Sequence, residues 1–305
     1  MKALVLSGGG SRGAFQVGVV KSLFQQGFRP SIVTGVSVGA FNSFFIAQHK
    51  ISELERLWLQ IKSNDDVYRK RLLAAPFMLL GWQWGFPSLY KPGPLSKLLK
   101  HKIKSTKQQE YFAELRVGAV DLISGLYTSV NQTSPMLEKF IAASIAVPMA
   151  FPPVKIKHKQ AGGVYVDGCI RNLTPLGEAI RAGATEIHII LADQSDMQSK
   201  KVSYRKYEDI VARTIDIALH EILLRDIDNV LVRNELAQIK PEGKYKSIKL
   251  TLYEPTGVAL PGLLDFNPES IKTSLAAGEE IGLQGVTTDV LIEKAVKNKG
   301  HRFVG

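Results

Sequence analysis

The chain has 305 residues, 45% of them hydrophobic and 22% charged, and these proportions suit a globular core and argue against intrinsic disorder. Its single cysteine excludes an internal disulfide framework and a cysteine-based zinc cluster. The formal net charge of +11 would attract nucleic acid, anionic membranes or acidic ligands, and charge alone does not choose among them.

Neither the amino end nor the longest uncharged stretch predicts insertion into a membrane. The first apolar run, residues 3–6, stops at a glycine cluster and is too short for a signal peptide. Residues 72–90 are uncharged, but Pro76, Gly81 and Pro87 interrupt them. We therefore expect a cytoplasmic protein that could contact a membrane surface peripherally.

The first 50 residues predict alternating strands and helices. A buried strand at 3–6 leads into a glycine-rich loop at 7–13, and a helix follows over 14–26. A second strand lies around 32–33, and after a glycine-flanked turn a helix runs over 38–50. This order is typical of a parallel sheet with crossover helices.

The rest of the chain continues the α/β pattern. Further strands are predicted at 115–121, 126–130, 164–166, 186–191 and 247–253, and helices at 136–143, 176–181, 210–236 and 268–283. No linker and no internal repeat interrupts the sequence, which favours a single domain.

The loop from Gly8 to Gly13 matches G-x-G-x-x-G between a strand and a helix, a pattern that first suggests a dinucleotide site. Such a site needs an acidic residue about 20 positions further on to hold the ribose. Residues 28–40 contain neither Asp nor Glu. The sequence therefore gives only weak support for a nucleotide-binding site at the glycine loop.

The segment from Gly35 to Gly39 matches G-x-S-x-G, with Ser37 between a short strand and an apolar helix. In that setting the serine sits on a strained turn with an exposed hydroxyl, although an ordinary turn or helix-capping serine is the alternative. A right-handed crossover places this turn beside the glycine loop at one edge of the sheet. Glycine-loop amides beside a serine can form an oxyanion hole.

A nucleophilic serine needs a base, and the sequence does not identify one by a motif. The six histidines are His49, His101, His158, His188, His220 and His301. None lies in a recognisable motif, and each is better explained as structural. Asp167-Gly168 follows the strand at 164–166; this dipeptide is common in turns, but an aspartate at a strand end can also reach a neighbouring loop.

Three motifs in chain order make the sequence similar to a known family. They are the loop Gly8–Gly13 with Arg12, the segment Gly35–Gly39 around Ser37, and Asp167-Gly168. The stretches 142–153 and 167–172 fit the same pattern. Over roughly residues 3–195 the chain resembles the patatin-like phospholipases.

The resemblance implies a three-layer α/β/α fold with a mostly parallel central sheet, on which residues 196–305 pack within the same domain. It implies that Ser37 is the nucleophile and Asp167 the base, without a catalytic histidine, a metal or a cofactor. Backbone amides around Gly9, Gly10 and Ser11 would form the oxyanion hole.

One residue departs from the family pattern. Gly or Ala usually follows the Asp-Gly pair, whereas this chain has Cys169. Cysteine is small, so we expect the turn to survive and Cys169 to be a buried small residue rather than a reactive thiol.

The resemblance implies hydrolysis of lipid acyl esters, with a phospholipid or lysophospholipid as substrate. Two alternatives stay open. The first is an ordinary α/β-hydrolase esterase with a Ser-His-Asp triad. The second is a catalytically idle protein that binds lipid or phosphate, with the glycine loop as an anion cradle.

The segment 50–110 concentrates positive charge, with 12 Lys or Arg against five acidic residues. It also contains Trp82, Trp84, Phe86 and Tyr90. Aromatic and basic residues together suit an interface with anionic lipid, and we expect peripheral membrane contact through 69–107. The alternative is a lid whose aromatic residues pack inward. No nucleic-acid-binding fold is evident, so nucleic acid is not an expected partner.

Overall fold

A computed structural model of the chain describes residues 1–71, 88–159, 162–194, 207–240, 245–258 and 260–287. No helix in these ranges is both long enough and apolar enough to cross a membrane.

The amino-terminal part of the chain alternates strands and helices, as predicted. Its elements are β1 (Lys2–Leu6), α1 (Gly13–Gln25), β2 (Ile32–Gly35), α2 (Val38–Ile46), α3 (Ile51–Leu59), α4 (Asn64–Val67), β3 (Tyr68–Lys70), β4 (Tyr90–Pro92) and α5 (Pro94–Ser105). The predicted helix over 38–50 ends early, at Ile46. His49 adopts a left-handed backbone (φ 56°) and α3 starts at Ile51, a break that the continuous apolar pattern conceals.

The later elements lie close to their predicted positions. They are β5 (Glu114–Asp121), β6 (Tyr127–Asn131), α6 (Leu137–Ser144), β7 (Val154–Ile156), β8 (Gly163–Asp167), α7 (Leu176–Arg181), β9 (Glu186–Ile190), α8 (Tyr207–Ile239), β10 (Lys249–Tyr253), α9 (Pro268–Ile281) and β11 (Val286–Thr287). The short strands β3, β4, β7 and β11 were not predicted, since two or three residues carry too little periodicity to be recognised.

One large sheet has the strand order β11-β10-β9-β1-β2-β5-β8-β7, with β6 also paired to β5. The five strands from β10 to β5 are parallel, and the pairings at both margins are antiparallel. The last four residues of β1 are apolar and buried, because central strands of a parallel sheet are covered on both faces.

Helices cover the two faces of this sheet. Leu4 and Leu6 of β1 pack with residues of α1, α2, α3 and α9, whereas Ala3 and Val5 pack with α7 and α8. Successive side chains of a strand point to opposite faces, so one strand contributes to both cores. The predicted three-layer α/β/α fold with a mostly parallel central sheet is confirmed.

The two strands that lead into the predicted catalytic residues lie end to end along one edge of β5. Gly35, at the end of β2, pairs with Val117, and Asp167, at the end of β8, pairs with Ala119. β6 pairs with the same stretch of β5 and therefore occupies its opposite edge. Because β2 is parallel and β8 antiparallel to β5, their carboxyl ends point at each other.

Candidate active site

Ser37 lies at the sharp turn between β2 and α2, in a backbone conformation that residues with a side chain rarely adopt (φ 55°, ψ −129°). Such a conformation costs about 1–3 kcal/mol and persists only where the surroundings impose it. Here the Ser37 amide donates to the Ser144 hydroxyl oxygen at 2.9 Å, at the end of α6. Sequence reasoning did not single out Ser144, which lies within the quoted 142–153 stretch.

The glycines flanking Ser37 let strand and helix approach closely, as expected. A Cβ at Gly39 would lie 2.5 Å from the Leu6 carbonyl oxygen of β1, and a Cβ at Gly35 would lie 2.2 Å from the Gly39 carbonyl oxygen. Both distances are far below van der Waals contact. The start of α2 is thereby held against the carboxyl ends of β1 and β2.

Asp167 ends β8 with its side chain buried beside Ser37. Only 2% of the residue is exposed. Its carboxylate interacts with the Ser37 side chain and accepts a hydrogen bond from the Cys169 amide at 2.9 Å. Burial raises the pKa of the Asp167 carboxyl from 3.8 to about 6, because desolvation outweighs the opposing effects of Ser37 and Cys169.

Cys169 is buried, as expected, but its thiol contacts both residues of the predicted pair. The thiol interacts with the side chains of Asp167 and Ser37 and with the Gly8 backbone. A Cβ on Gly8 would lie 2.1 Å from the Cys169 sulfur and 3.0 Å from the Ser37 Cβ. Burial raises the pKa of the thiol well above its usual value, which keeps it protonated and a poor nucleophile.

The amides of the glycine loop have different partners. The Gly8 amide donates to the Leu173 carbonyl at 3.3 Å, and the Ser11 amide donates to the Leu263 carbonyl at 2.9 Å. Ser11, expected as a third oxyanion donor, is thus engaged within the protein. The Gly9 and Gly10 amides have no acceptor within the described part of the chain, and Gly10 lines the same cavity as Ser37.

A segment near the carboxyl end, residues 261–264, holds the glycine loop in place. Arg12 donates to the Pro261 carbonyl at 2.9 Å and forms an ion pair with Asp193, just after β9. The Ser11 hydroxyl donates to the Gly262 carbonyl at 2.8 Å. The contacts of Ser11 and Arg12 with residues 261–264 join positions about 250 apart in the chain, and no local pattern in 261–264 indicates them.

A cavity of about 540 Å³ opens beside Ser37. Its walls are mainly apolar and include Val38, Phe41, Trp58, Leu99, Phe151 and Phe266. Exposed lysines, Lys97, Lys139 and Lys155, also line it. The cavity therefore combines a serine side chain, space for a hydrocarbon chain and positive charge.

Two histidines, His188 and His49, have partners other than Ser37 and Asp167. His188 lies in β9 and hydrogen bonds with Tyr253 and Glu186. His49 packs against the rings of Phe24 and Phe112. His301 lies outside the described residues.

The basic and aromatic segment 69–107 is described only in part. Arg69 and Lys70 are exposed in β3, and Tyr90 packs against Tyr68 and Phe151. Trp82, Trp84 and Phe86 lie outside the described residues. Membrane contact through this segment stays a prediction.

Comparison with known proteins gives a family and several relatives. A family model described as "Patatin-like phospholipase" matches residues 4–180, more than half of the 305 residues. An uncharacterized protein of Bacillus subtilis, YqhO, is 25% identical over 56% of this chain and 64% of its own length. Patatin-like phospholipase domain-containing protein 7 of Rattus norvegicus is 24% identical over 60% of this chain and 13% of its own length.

A shorter match is closer in sequence. Lysophospholipase nte1 of Aspergillus terreus is 51% identical over 45 residues, which are 15% of this chain and 3% of that protein. The chain thus spans less than two thirds of the length of these curated relatives.

Proposed function

The chain belongs to the patatin-like phospholipase family, and on this basis we propose that it hydrolyses lipid carboxylic esters through an acyl-enzyme on Ser37, with Asp167 as the base. The observation that carries the proposal is the direct interaction between the Ser37 side chain and the buried Asp167 carboxylate, at the facing ends of β2 and β8. The strained Ser37 and the proton acceptor Asp167 lie at the carboxyl ends of β2 and β8. The cavity beside them is large enough for an acyl chain.

The proposed reaction has two proton-transfer cycles. Asp167 accepts the Ser37 proton as Oγ attacks the ester carbonyl carbon, and the oxyanion forms facing the Gly9 and Gly10 amides. Protonated Asp167 then gives the proton to the departing alcohol oxygen. Water next attacks the acyl carbon while Asp167 takes one of its protons, and that proton returns to Ser37 Oγ as the fatty acid leaves.

The environment of Asp167 suits this role. A solvated aspartate is a weak base, whereas a pKa of about 6 brings this carboxyl close to neutral operating pH. Because Asp167 interacts with Ser37 directly, proton transfer between them needs no relaying histidine. This favours the two-residue mechanism over a Ser-His-Asp triad.

Among lipid esters, we propose a phospholipid or a lysophospholipid as the substrate. The apolar walls accommodate hydrocarbon, and Lys97, Lys139 and Lys155 offer charge to a phosphate. The names of two relatives, a lysophospholipase and a patatin-like phospholipase domain-containing protein, agree with this substrate class.

Labelling with a fluorophosphonate tests the proposal directly. The probe should modify wild-type protein stoichiometrically at Ser37, which peptide mass spectrometry would identify, and should not modify Ser37→Ala. A folded wild type that stays unlabelled would support the idle lipid or phosphate binder instead.

The pH dependence of hydrolysis should follow the ionisation of Asp167. Only the carboxylate can accept a proton, so kcat/KM for a soluble ester should fall about tenfold per pH unit below about 6 and level off above it. The Cys169 side chain lowers the pKa of Asp167, so Cys169→Ala should move this limb to higher pH. Cys169→Ser, which keeps a donor, is the control and should move it less; identical limbs in all three proteins would contradict the assignment.

The cavity should set the preferred acyl length. Ala142 of α6 lines it, and Ala142→Phe would fill part of the space. We expect kcat/KM for a 16-carbon lysophospholipid to fall by roughly tenfold or more, since each excluded methylene costs binding energy. Hydrolysis of a butyrate ester by the same variant is the internal control, and an equal loss on both esters would argue against an acyl site.

A further inference from the structure

The turn between β5 and β6 presents large apolar side chains to solvent. Leu122, Ile123 and Leu126 are 53%, 79% and 58% exposed. We call these three residues the apolar tip. Single exposed apolar residues are ordinary, but three within five positions at one turn form a patch.

The conformation of the apolar tip is fixed by buried Asp121. Its carboxylate accepts from the Ile123 and Ser124 amides, from the Ser124 hydroxyl and from the Val164 amide, at 2.8–3.3 Å. The Asp121 carboxylate is thus hydrogen-bonded within the protein, to the turn and to β8. These hydrogen bonds hold the backbone in the conformation that exposes the three apolar side chains.

Positive charge surrounds the apolar tip. Arg171 donates to the Gly125 carbonyl at 3.1 Å. The Leu122 amide donates to the Val164 carbonyl, so the start of β8 lies alongside the tip. Lys157 and Lys159, which follow β7, the antiparallel partner of that part of β8, are exposed. An apolar turn bordered by cations is complementary to a surface that is hydrocarbon beneath and anionic outside.

The apolar tip also lies at the edge of the sheet where Ser37 and Asp167 meet. Ala119 of β5 pairs with Asp167, and the same strand ends at Asp121 and turns into the tip. The tip therefore lies beyond Ala119 at the carboxyl end of β5, the same end at which β2 leads into Ser37.

We propose that the apolar tip, flanked by Arg171, Lys157 and Lys159, docks this edge of the protein on an anionic lipid surface. The inference rests on the proposed function only in that a lipid substrate would reside in such a surface. Lipid fits better than a protein partner because the apolar side chains cap a protruding turn and the charges beside them have one sign. This surface is separate from residues 69–107.

Binding to vesicles of ether-linked lipids tests the proposal without any hydrolysable ester. Wild-type protein should bind phosphatidylglycerol-containing vesicles more tightly than phosphatidylcholine vesicles, and added salt should weaken the binding. Ile123→Ser/Leu126→Ser should lower partitioning on the order of tenfold. Lys157→Gln/Lys159→Gln should lower binding to anionic vesicles only. Both variants should hydrolyse a soluble ester like wild type.

Matched controls place the same kinds of substitution near the amino ends of β5 and β10, at the end of the strands opposite the apolar tip. Phe112→Ser/Ile239→Ser removes two apolar side chains that are 67% and 72% exposed, and Lys246→Gln/Lys249→Gln removes two exposed cations. Neither should alter vesicle binding. Loss of hydrolysis with intact vesicle binding would count against the proposed function alone.

Three results would overturn the docking proposal. The first is vesicle binding by Ile123→Ser/Leu126→Ser equal to wild type. The second is loss of binding only in Arg69→Gln/Lys70→Gln, which would place the contact in 69–107. The third is a wild-type dimer that the tip substitutions dissociate without any change in lipid binding, which would make a second copy the partner.

Discussion

Ser37→Ala should lower the hydrolysis of a short-chain soluble ester by roughly 10⁴-fold or more, because no acyl-enzyme can form. Asp167→Asn should cost about 10²–10⁴-fold, because the amide keeps the shape of the side chain but cannot accept the Ser37 proton. Single-turnover assays with active-site titration would measure both losses separately from changes in binding.

Measuring the stability of Asp167→Asn distinguishes activity lost because the base is missing from activity lost because the protein is unfolded. The pKa of Asp167 is raised from 3.8 to about 6 in the folded protein, so the folded state favours the protonated carboxyl. The contribution of Asp167 to the free energy of unfolding is therefore fully present below pH 3.8 and is lost as pH rises through about 6. Asparagine does not ionise. The variant should therefore unfold less readily than wild type at pH 8, by up to about 3 kcal/mol, and this difference should shrink toward pH 4. Denaturant titrations at the two pH values would show it.

Histidine variants are the control for a triad. His188→Ala and His220→Ala, which follow Asp167 in the chain as a hydrolase histidine would, should stay within roughly tenfold of wild type when folded. A histidine variant as inactive as Ser37→Ala, together with an active Asp167→Asn, would mean that the two-residue mechanism is wrong. The lipid-hydrolase assignment from the family would survive that result.

Gly10→Ala should lower kcat by on the order of 10²-fold, the cost of losing one oxyanion donor. Gly10 has a left-handed backbone (φ +56°), and a Cβ there would lie 2.0 Å from the Leu263 carbonyl oxygen. That oxygen belongs to the backbone segment that holds the Ser11 amide, so the loop must shift and displace the Gly10 amide. The loss should appear in kcat more than in KM.

Gly27→Ala is the matched control for Gly10→Ala. Gly27 also has a positive φ, +81°, but a Cβ there meets nothing within 4 Å. It should lower stability by about 1 kcal/mol and leave kcat unchanged. Wild-type turnover in folded Gly10→Ala would remove the glycine loop from the mechanism.

The sequence by itself determined the features that depend on neighbouring residues. Apolar runs and glycine positions predicted the central strands, the first helix and the sharp turn at Ser37, because a buried strand or a left-handed turn restricts the residues that can form it. Asp167 was recognisable only through its resemblance to a family motif, since an Asp-Gly pair at a strand end is otherwise an ordinary turn.

Only the tertiary structure decided how these parts meet. The antiparallel pairing of β8 with β5 brings Asp167 to Ser37 across 130 positions of sequence, and Leu263 reaches the Ser11 amide across about 250. The Cys169 thiol likewise contacts both residues of the pair. Such contacts depend on which surfaces the whole chain buries against each other, and the periodicity of a single segment carries no record of its distant partner.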